Sequence, residues 1–152
     1  MIYPIAFLGL GSNVGDRERH LASAIVALQE YGEITMQSDW VETPAWGLTD
    51  QPAFLNGVVA IQPFLGPWGL LEAILEIERQ HGRSREIKWG PRTLDIDILA
   101  FGQWLIHSPD LTVPHPYCTQ RAFVLEPWNQ IAPDFTLAGF PIHQWWSVLP
   151  NK

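Results

Sequence analysis

Two aspartates, Asp95 and Asp97, are separated by a single residue in an apolar stretch of this 152-residue sequence. Residues 93–101 alternate as a strand does, so both carboxylates should project from one face while Ile96 and Ile98 enter the core. Like charges about 4 Å apart repel by roughly 4 kcal/mol at an effective dielectric constant of 20, which favours a cation between them. Oxygen ligands without cysteine favour Mg²⁺, completed by phosphate and water. An exposed acidic strand face is the alternative that this spacing leaves open.

A cluster of cations precedes the aspartates. The chain has nine Lys and Arg against 16 Asp and Glu, yet five of the nine fall within fourteen positions: Arg79, Arg83, Arg85, Lys88 and Arg92. Guanidinium groups match phosphate oxygens, so the cluster indicates a small polyanion as ligand, with a solvated basic loop as the alternative. The net charge of −7 argues against nonspecific nucleic-acid binding.

The elements that must position these residues follow from the hydrophobic pattern. The pattern predicts a strand at 4–11, a helix that ends before Gly32, strands at 34–42 and 54–62, a helix from Pro67 to Gly82, and a strand at 93–101. This order is typical of the α+β ferredoxin-like βαββαβ sandwich, with helices on one sheet face. A C-terminal extension should add helices near 121–125 and 142–149. Residues 44–52 form a long predicted loop, a candidate lid.

Smaller features complete the local prediction. Ser12 or Asn13 is expected to cap the first helix, and Gly9-x-Gly11 is interpreted as a tight turn at the start of that helix. The Gly-x-Gly pattern is not a Walker motif, because no Lys-Ser/Thr follows it.

Composition limits the class of protein. The hydrophobic fraction of 47% with 16% charged residues is that of a packed domain, so residues 1–152 are expected to form one domain. No apolar run approaches the roughly 20 residues of a membrane span, and no signal peptide is recognised at the N-terminus. Cys118 is the only cysteine, which excludes an intrachain disulfide. We expect a cytoplasmic protein, without membrane contact and monomeric.

The run GRSREIKWGPRTLDID, residues 82–97, resembles the signature of the 6-hydroxymethyl-7,8-dihydropterin pyrophosphokinase family. It combines Arg-x-Arg, Trp-Gly-Pro-Arg and Asp-x-Asp at the spacing of that family. The opening Gly-Leu-Gly-Ser-Asn is also similar, as are two further blocks in the same order, 43–56 and 113–125. The resemblance spans roughly residues 5 to 130.

The resemblance implies the chemistry. In that family two Mg²⁺ ions held by the paired aspartates bridge ATP, and the pterin hydroxymethyl oxygen attacks the β-phosphorus and releases AMP. Asp95 and Asp97 thereby take the metal role, and Arg83 and Arg92 contact the transferred phosphates. Such a transfer depends on positioning and charge neutralisation more than on covalent help.

The resemblance also implies two sets of binding residues. The nucleotide set is Leu71, Glu78, Arg85, Trp89, Arg92, Ile98, Leu111, Thr112, His115 and Arg121. The pterin set is Thr43, Pro44, Trp46, Phe54, Asn56, Trp89, Asp95 and Phe123. An aromatic ring with an amide-like edge suits stacking residues and an amide side chain. In place of the nucleotide-contacting Arg and Gln of some family members, this chain has Asp110 and Leu75.

Two alternatives stay open at this point. A noncatalytic ligand-sensing module on the same fold would need an apolar pocket but neither the Asp pair nor the cations. An ordinary kinase would transfer the γ-phosphoryl group and leave ADP, and only the family resemblance favours attack at the β-phosphorus.

Overall fold

The central strand of the sheet, β1 at Ala6–Ser12, has an antiparallel neighbour on each side in the computed structural model, which describes residues 2–43, 53–82 and 93–150. The sheet order is β2 (Gly32–Gln37), β4 (Phe54–Pro63), β1 and β5 (Asp95–Phe101). A short strand, β3 at Val41–Thr43, also pairs with β4. This antiparallel order confirms the ferredoxin-like prediction.

Two helices cover one face of the sheet, as predicted. They are α1 at Arg17–Leu28 and α2 at Pro67–Gln80. Leu70, Ile74 and Ile77 recur at helical spacing on α2 and are at most 2% exposed. They join a cluster that includes Ile96 and Ile98 of β5, so the apolar side of β5 faces the helices. The aspartates that alternate with these isoleucines must therefore face the opposite side.

The C-terminal extension covers that opposite side. Its helices are α3 at Ala122–Ile131 and α4 at Ile142–Val148, with hairpins β6–β7 (Ile106–His107, Thr112–Val113) and β8–β9 (Thr136–Leu137, Phe140–Pro141). Trp128 of α3 is fully buried, and its ring centroid lies 5.4 Å from that of Phe7 in β1. Burial of such large rings fixes α3 on the sheet.

Two local predictions were wrong. The strand expected at 34–42 is divided into β2 and β3, because the Ser38 side chain replaces a backbone acceptor in the pairing with β4. Ser38 N donates to Val58 O at 3.0 Å, but Val58 N donates to Ser38 Oγ at 2.9 Å. Asp16, not Ser12 or Asn13, caps α1 by accepting from Arg19 N at 3.2 Å. Ser12 and Asn13 are instead buried at the end of β1.

Within the described ranges, no helix has the length and apolar character required to cross a membrane.

Candidate active site

Asp95 and Asp97 lie on β5 opposite two glycines of the central strand. Asp95 is paired with Gly11, and Asp97 with Gly9. Both aspartates are half-buried, whereas Ile96 between them is 4% exposed. The prediction that the carboxylates share one face is confirmed. Because glycine has no side chain, β1 contributes only backbone beside both carboxylates, and neighbouring side chains approach it closely: the Asn56 amide over Gly11 and the Leu99 side chain over Gly9.

Asn56 completes a row across the sheet. Gly11 pairs with Asn56 of β4 on one side and with Asp95 on the other, so the amide and the carboxylate flank a bare backbone position. Asn56 is 8% exposed and donates from Nδ2 to Thr43 Oγ1 at 2.8 Å. Phe54, the residue paired with Thr43, lies two positions from Asn56 and so shares its face. Three predicted pterin residues are thus brought together.

Gly9-x-Gly11 was wrongly interpreted as a tight turn. Both glycines lie within β1. A Cβ added to Gly11 would lie 2.6 Å from Asn56 Oδ1, far inside van der Waals contact. The sequence signal that could have located this feature is glycine at alternate positions of an apolar strand, which indicates a close approach on one face.

A cavity of about 740 Å³ lies at the edge of the sheet beside β5. Residues of α2, β5 and the segment 109–116 form its walls. Five residues of the predicted nucleotide set line it together with Asp97: Leu71, Ile98, Leu111, Thr112 and His115. The wall combines aliphatic side chains, which suit a flat base, with polar groups that include the carboxylate of Asp97.

His115 is held against β5 by its backbone, since its N–H donates to Leu99 O at 2.9 Å. Its Nδ1 accepts from Tyr117 N at 3.2 Å, so the neutral ring carries its proton on Nε2. Burial, followed by the charge of Arg121, lowers the pKa of His115 below its ordinary value of 6.5, whereas Asp95 acts in the opposite direction. The ring is therefore a neutral donor at neutral pH.

Arg121 precedes α3 and lies between two aromatic rings. Its Cζ is 5.3 Å from the centroid of Tyr117 and 5.6 Å from that of Phe123. Such cation–π contacts orient the planar guanidinium while leaving its edge donors for other groups. Phe123 packs against the α3 side of the core, the sheet face that carries Asn56.

Comparison with known proteins agrees with this geometry. Residues 7–133 match the family described as 7,8-dihydro-6-hydroxymethylpterin-pyrophosphokinase. A 2-amino-4-hydroxy-6-hydroxymethyldihydropteridine pyrophosphokinase of Methylorubrum extorquens is 45% identical over 141 residues, covering 91% of this chain and 89% of the relative. The enzyme of that name from Bacillus subtilis is also 45% identical, over 84% of this chain and 77% of its own. The chain belongs to this pyrophosphokinase family.

A solved structure shares the fold. The Plasmodium falciparum HPPK-DHPS structure superposes with a TM-score of 0.78 at 18% identity, over 97% of this chain and 44% of the Plasmodium chain. Family membership makes the present chain an enzyme of folate biosynthesis that transfers a pyrophosphoryl group to hydroxymethyldihydropterin, with ATP as co-substrate. The sensing-module and γ-phosphoryl alternatives are thereby excluded.

Glu78 of this pyrophosphokinase lies on the buried side of α2. It is 2% exposed, and its Oε2 accepts from Ile96 N at 2.8 Å. A buried carboxylate that accepts a backbone N–H ties α2 to β5 between the two aspartates.

The donor set of the pyrophosphokinase fits Mg²⁺. Among the described residues, no group of three or more His, Cys, Asp and Glu is arranged around a common point. Two neighbouring carboxylates beside side-chain-free positions match an ion that takes one or two protein carboxylates and fills its remaining positions with phosphate and water.

Six predicted site residues lie outside the described residues. They are Pro44, Trp46, Arg83, Arg85, Trp89 and Arg92. The candidate lid at 44–52 falls there as well, as does Lys88 of the cation cluster.

Proposed function

We propose that Asp95 and Asp97 hold two Mg²⁺ ions at the point where the pterin and ATP sites meet. The observation that carries this proposal is the position of the pair on β5. Asp95 lies beside the Asn56 row, and Asp97 lines the cavity at the sheet edge. Bound Mg²⁺ would neutralise phosphate charge and favour one orientation of the triphosphate. The hydroxymethyl oxygen then attacks the β-phosphorus, and AMP leaves.

The pterin site is assigned to the face that carries Asn56. Because Nδ2 of this residue donates one hydrogen to Thr43, Oδ1 above Gly11 remains as an acceptor for a ring N–H. Phe54 and Phe123 supply flat apolar surface, and Gly11 leaves room for the Asn56 amide that would face the edge of the ring. Pro44, Trp46 and Trp89 belong to this site by family resemblance.

The nucleotide site is assigned to the cavity beside β5. Leu71, Ile98, Leu111 and Thr112 contact the base and sugar, while the Nε2–H of His115 donates to phosphate. The residues assigned by resemblance to the phosphates and the rest of the nucleotide are Glu78, Arg83, Arg85, Trp89, Arg92 and Arg121. Planar guanidinium donors suit the charge that develops in a loose transition state.

The direct test identifies the nucleotide product after incubation with MgATP and 6-hydroxymethyl-7,8-dihydropterin. We expect AMP and the pterin pyrophosphate in equal amounts. The Asp134→Asn variant, which changes an exposed carboxylate in the turn after α3, should give the same products. Accumulation of ADP would contradict the assignment.

We further infer that residues 1–152 act as a cytoplasmic monomer built on one domain, without membrane or nucleic-acid partners. The net charge of −7 and the small-molecule substrates support this inference. Light scattering of the purified chain tests its oligomeric state, and a stable dimer would contradict it.

A further inference from the structure

Trp68 and Asp110 meet at the rim of the cavity beside β5, which both residues line. Trp68 is the second residue of α2, and its indole Nε1 donates to Asp110 Oδ1 at 3.3 Å. Ser108 Oγ lies 2.8 Å from the same carboxylate oxygen and 2.9 Å from Leu111 O, so its single hydrogen is shared between these two acceptors. The contact joins residues 42 positions apart, from α2 and from the turn between β6 and β7.

These two donors orient the carboxylate. Both use Oδ1, so Oδ2 receives no hydrogen bond from another described side chain. The bonds from Ser108 and then Trp68 lower the pKa of Asp110 below its ordinary value of 3.8, and the group is an anion at neutral pH. A fixed anionic acceptor at the cavity rim must face a donor group on whatever ligand binds there.

The chemistry of a nucleotide narrows the choice of donor. A carboxylate repels phosphate. The N1–H and N2–H₂ edge of guanine would take both carboxylate oxygens, but Oδ1 already accepts two hydrogen bonds. Each of the two N6–H groups of adenine lies beside the lone pair of a ring nitrogen, N1 or N7, and a carboxylate is repelled by that lone pair. A ribose hydroxyl needs a single acceptor and belongs to the part of the nucleotide that tolerates solvent, as the exposed rim requires.

We infer that Asp110, oriented by Trp68 and Ser108, is a specificity-determining residue that accepts a hydrogen bond from a ribose hydroxyl of the bound nucleotide. The inference rests on the proposed ATP site. It makes this chain select ribonucleoside over deoxyribonucleoside triphosphates as pyrophosphoryl donors.

The Asp110 side chain can be removed without deleting the other hydrogen bonds of its turn. Ser108 N donates to Leu111 O at 3.0 Å, and Leu111 N donates to Ser108 Oγ at 3.2 Å. Asp110→Ala leaves both in place. Trp68→Phe gives a second variant that keeps an aromatic ring but deletes the Nε1 donor.

The experiment compares kcat/KM for MgATP, its 2′-deoxy and 3′-deoxy analogues, and purine riboside triphosphate, which lacks the 6-amino group. We expect the unmodified enzyme to prefer ATP over at least one deoxy analogue by about tenfold, the scale of a hydrogen bond to a charged group. In Asp110→Ala this preference should fall to about twofold or less, and in Trp68→Phe it should fall partway. Asp134→Ala should retain the full preference.

Three results would overturn the inference. One is equal use of ATP and both deoxy analogues by the unmodified enzyme, and another is a preference that persists in both variants. The third is an Asp110-dependent loss seen with purine riboside triphosphate alone, which would mean that the carboxylate contacts the base. If Asp110→Ala does not fold, Trp68→Phe provides the test: a partial fall in the preference for ATP supports the inference, and an unchanged preference contradicts it. Failure to form AMP from ATP would contradict the proposed function instead.

Discussion

At the scale of single residues, the two glycines of β1 matter to the site as much as the polar side chains beside them. Gly11 lies between Asn56 and Asp95, and Gly9 lies beside Asp97. Any Cβ at Gly11 would meet the atom of Asn56 that we assign to pterin recognition. The missing side chain at Gly11 therefore leaves room for the Asn56 amide, and the strands on either side of β1 supply the polar groups of the site.

Gly11→Ala should weaken pterin binding more than it destabilises the fold. The new methyl would lie 2.6 Å from Asn56 Oδ1, and the amide would have to rotate away from Thr43. We expect the KM for pterin to rise about tenfold, consistent with the loss of one or two oriented hydrogen bonds. Gly9→Ala is the matched control, because its methyl would meet Leu99 carbons at 3.4–3.6 Å, an ordinary contact. Equal effects of the two variants on KM would contradict this role of Gly11.

The charges around His115 give a prediction with a definite sign. Arg121 lowers the pKa of His115 and Asp95 raises it, so Arg121→Ala should raise that pKa and Asp95→Asn should lower it further. NMR titration of the imidazole measures both shifts. The pKa of His115 is below 6.5 in the folded protein, so the unfolded chain binds a proton first as the pH falls below 6.5. The free energy of unfolding should therefore decrease as the pH falls from 6.5 through the pKa of the folded protein. Shifts in the same direction for both variants would contradict the electrostatic account.

Asp95 and Asp97 should act as one unit. Asp95→Asn and Asp97→Asn each keep the side-chain shape but remove charge, and we expect each to lower kcat by about 10²- to 10⁴-fold. The double variant should lose far less than the product of the two effects, because the first change already weakens the shared metal site. A double-mutant cycle at several Mg²⁺ concentrations measures the coupling. Strict additivity with unchanged Mg²⁺ dependence would exclude a shared site.

At the scale of elements, the start of α1 supports the strand pair that carries the pterin residues. Arg17 donates from its guanidinium to Ala53 O at 2.9 Å and pairs with Glu42 at 3.2 Å. Glu42 adjoins Thr43 on β3, and Ala53 adjoins Phe54 on β4. One side chain thus contacts both strands next to the Thr43–Phe54 pair.

Arg17→Ala should loosen this strand pair. The ion pair is partly exposed and contributes about 0–1 kcal/mol, and the carbonyl bond adds about 1 kcal/mol. We expect the KM for pterin to rise by a few fold, the scale of roughly 1 kcal/mol, with the KM for ATP nearly unchanged. Arg19→Ala is the matched control, because Arg19 is an exposed residue of the same helix turn. A rise in both KM values would contradict an effect confined to the Thr43–Phe54 strand pair, whereas a general loss of folding would lower the apparent kcat.

At the scale of the whole molecule, the two faces of the sheet differ in how far apolar packing extends across them. The α1 and α2 face is closed by a continuous apolar cluster. The other face is covered by α3 and α4 over Phe7, Val58 and Leu99. Towards the end of β1 near Ser12, the residues on this second face are glycines and half-buried polar groups. The apolar packing thus stops short of the site, which leaves a surface for ligands on a rigid sheet.

Local periodicity and motif spacing were sufficient to predict several features of the fold and of the site. Alternation along 93–101 put Asp95 and Asp97 on one face, and helical spacing identified the core side of α2. The order of elements predicted the ferredoxin-like sheet, and the signature run indicated the pyrophosphokinase family, which the comparisons confirmed.

Contacts between residues distant in the sequence could be identified only from the three-dimensional structure. The row from Asn56 through Gly11 to Asp95 depends on the register of three strands, and a shift by one residue would turn each side chain to the other face. Likewise, the contact between Trp68 and Asp110 depends on how the β6–β7 turn lies against α2. Periodicity reports which face a residue occupies on its own element. The partner across the sheet or turn is set by long-range packing, which no local pattern in this chain records.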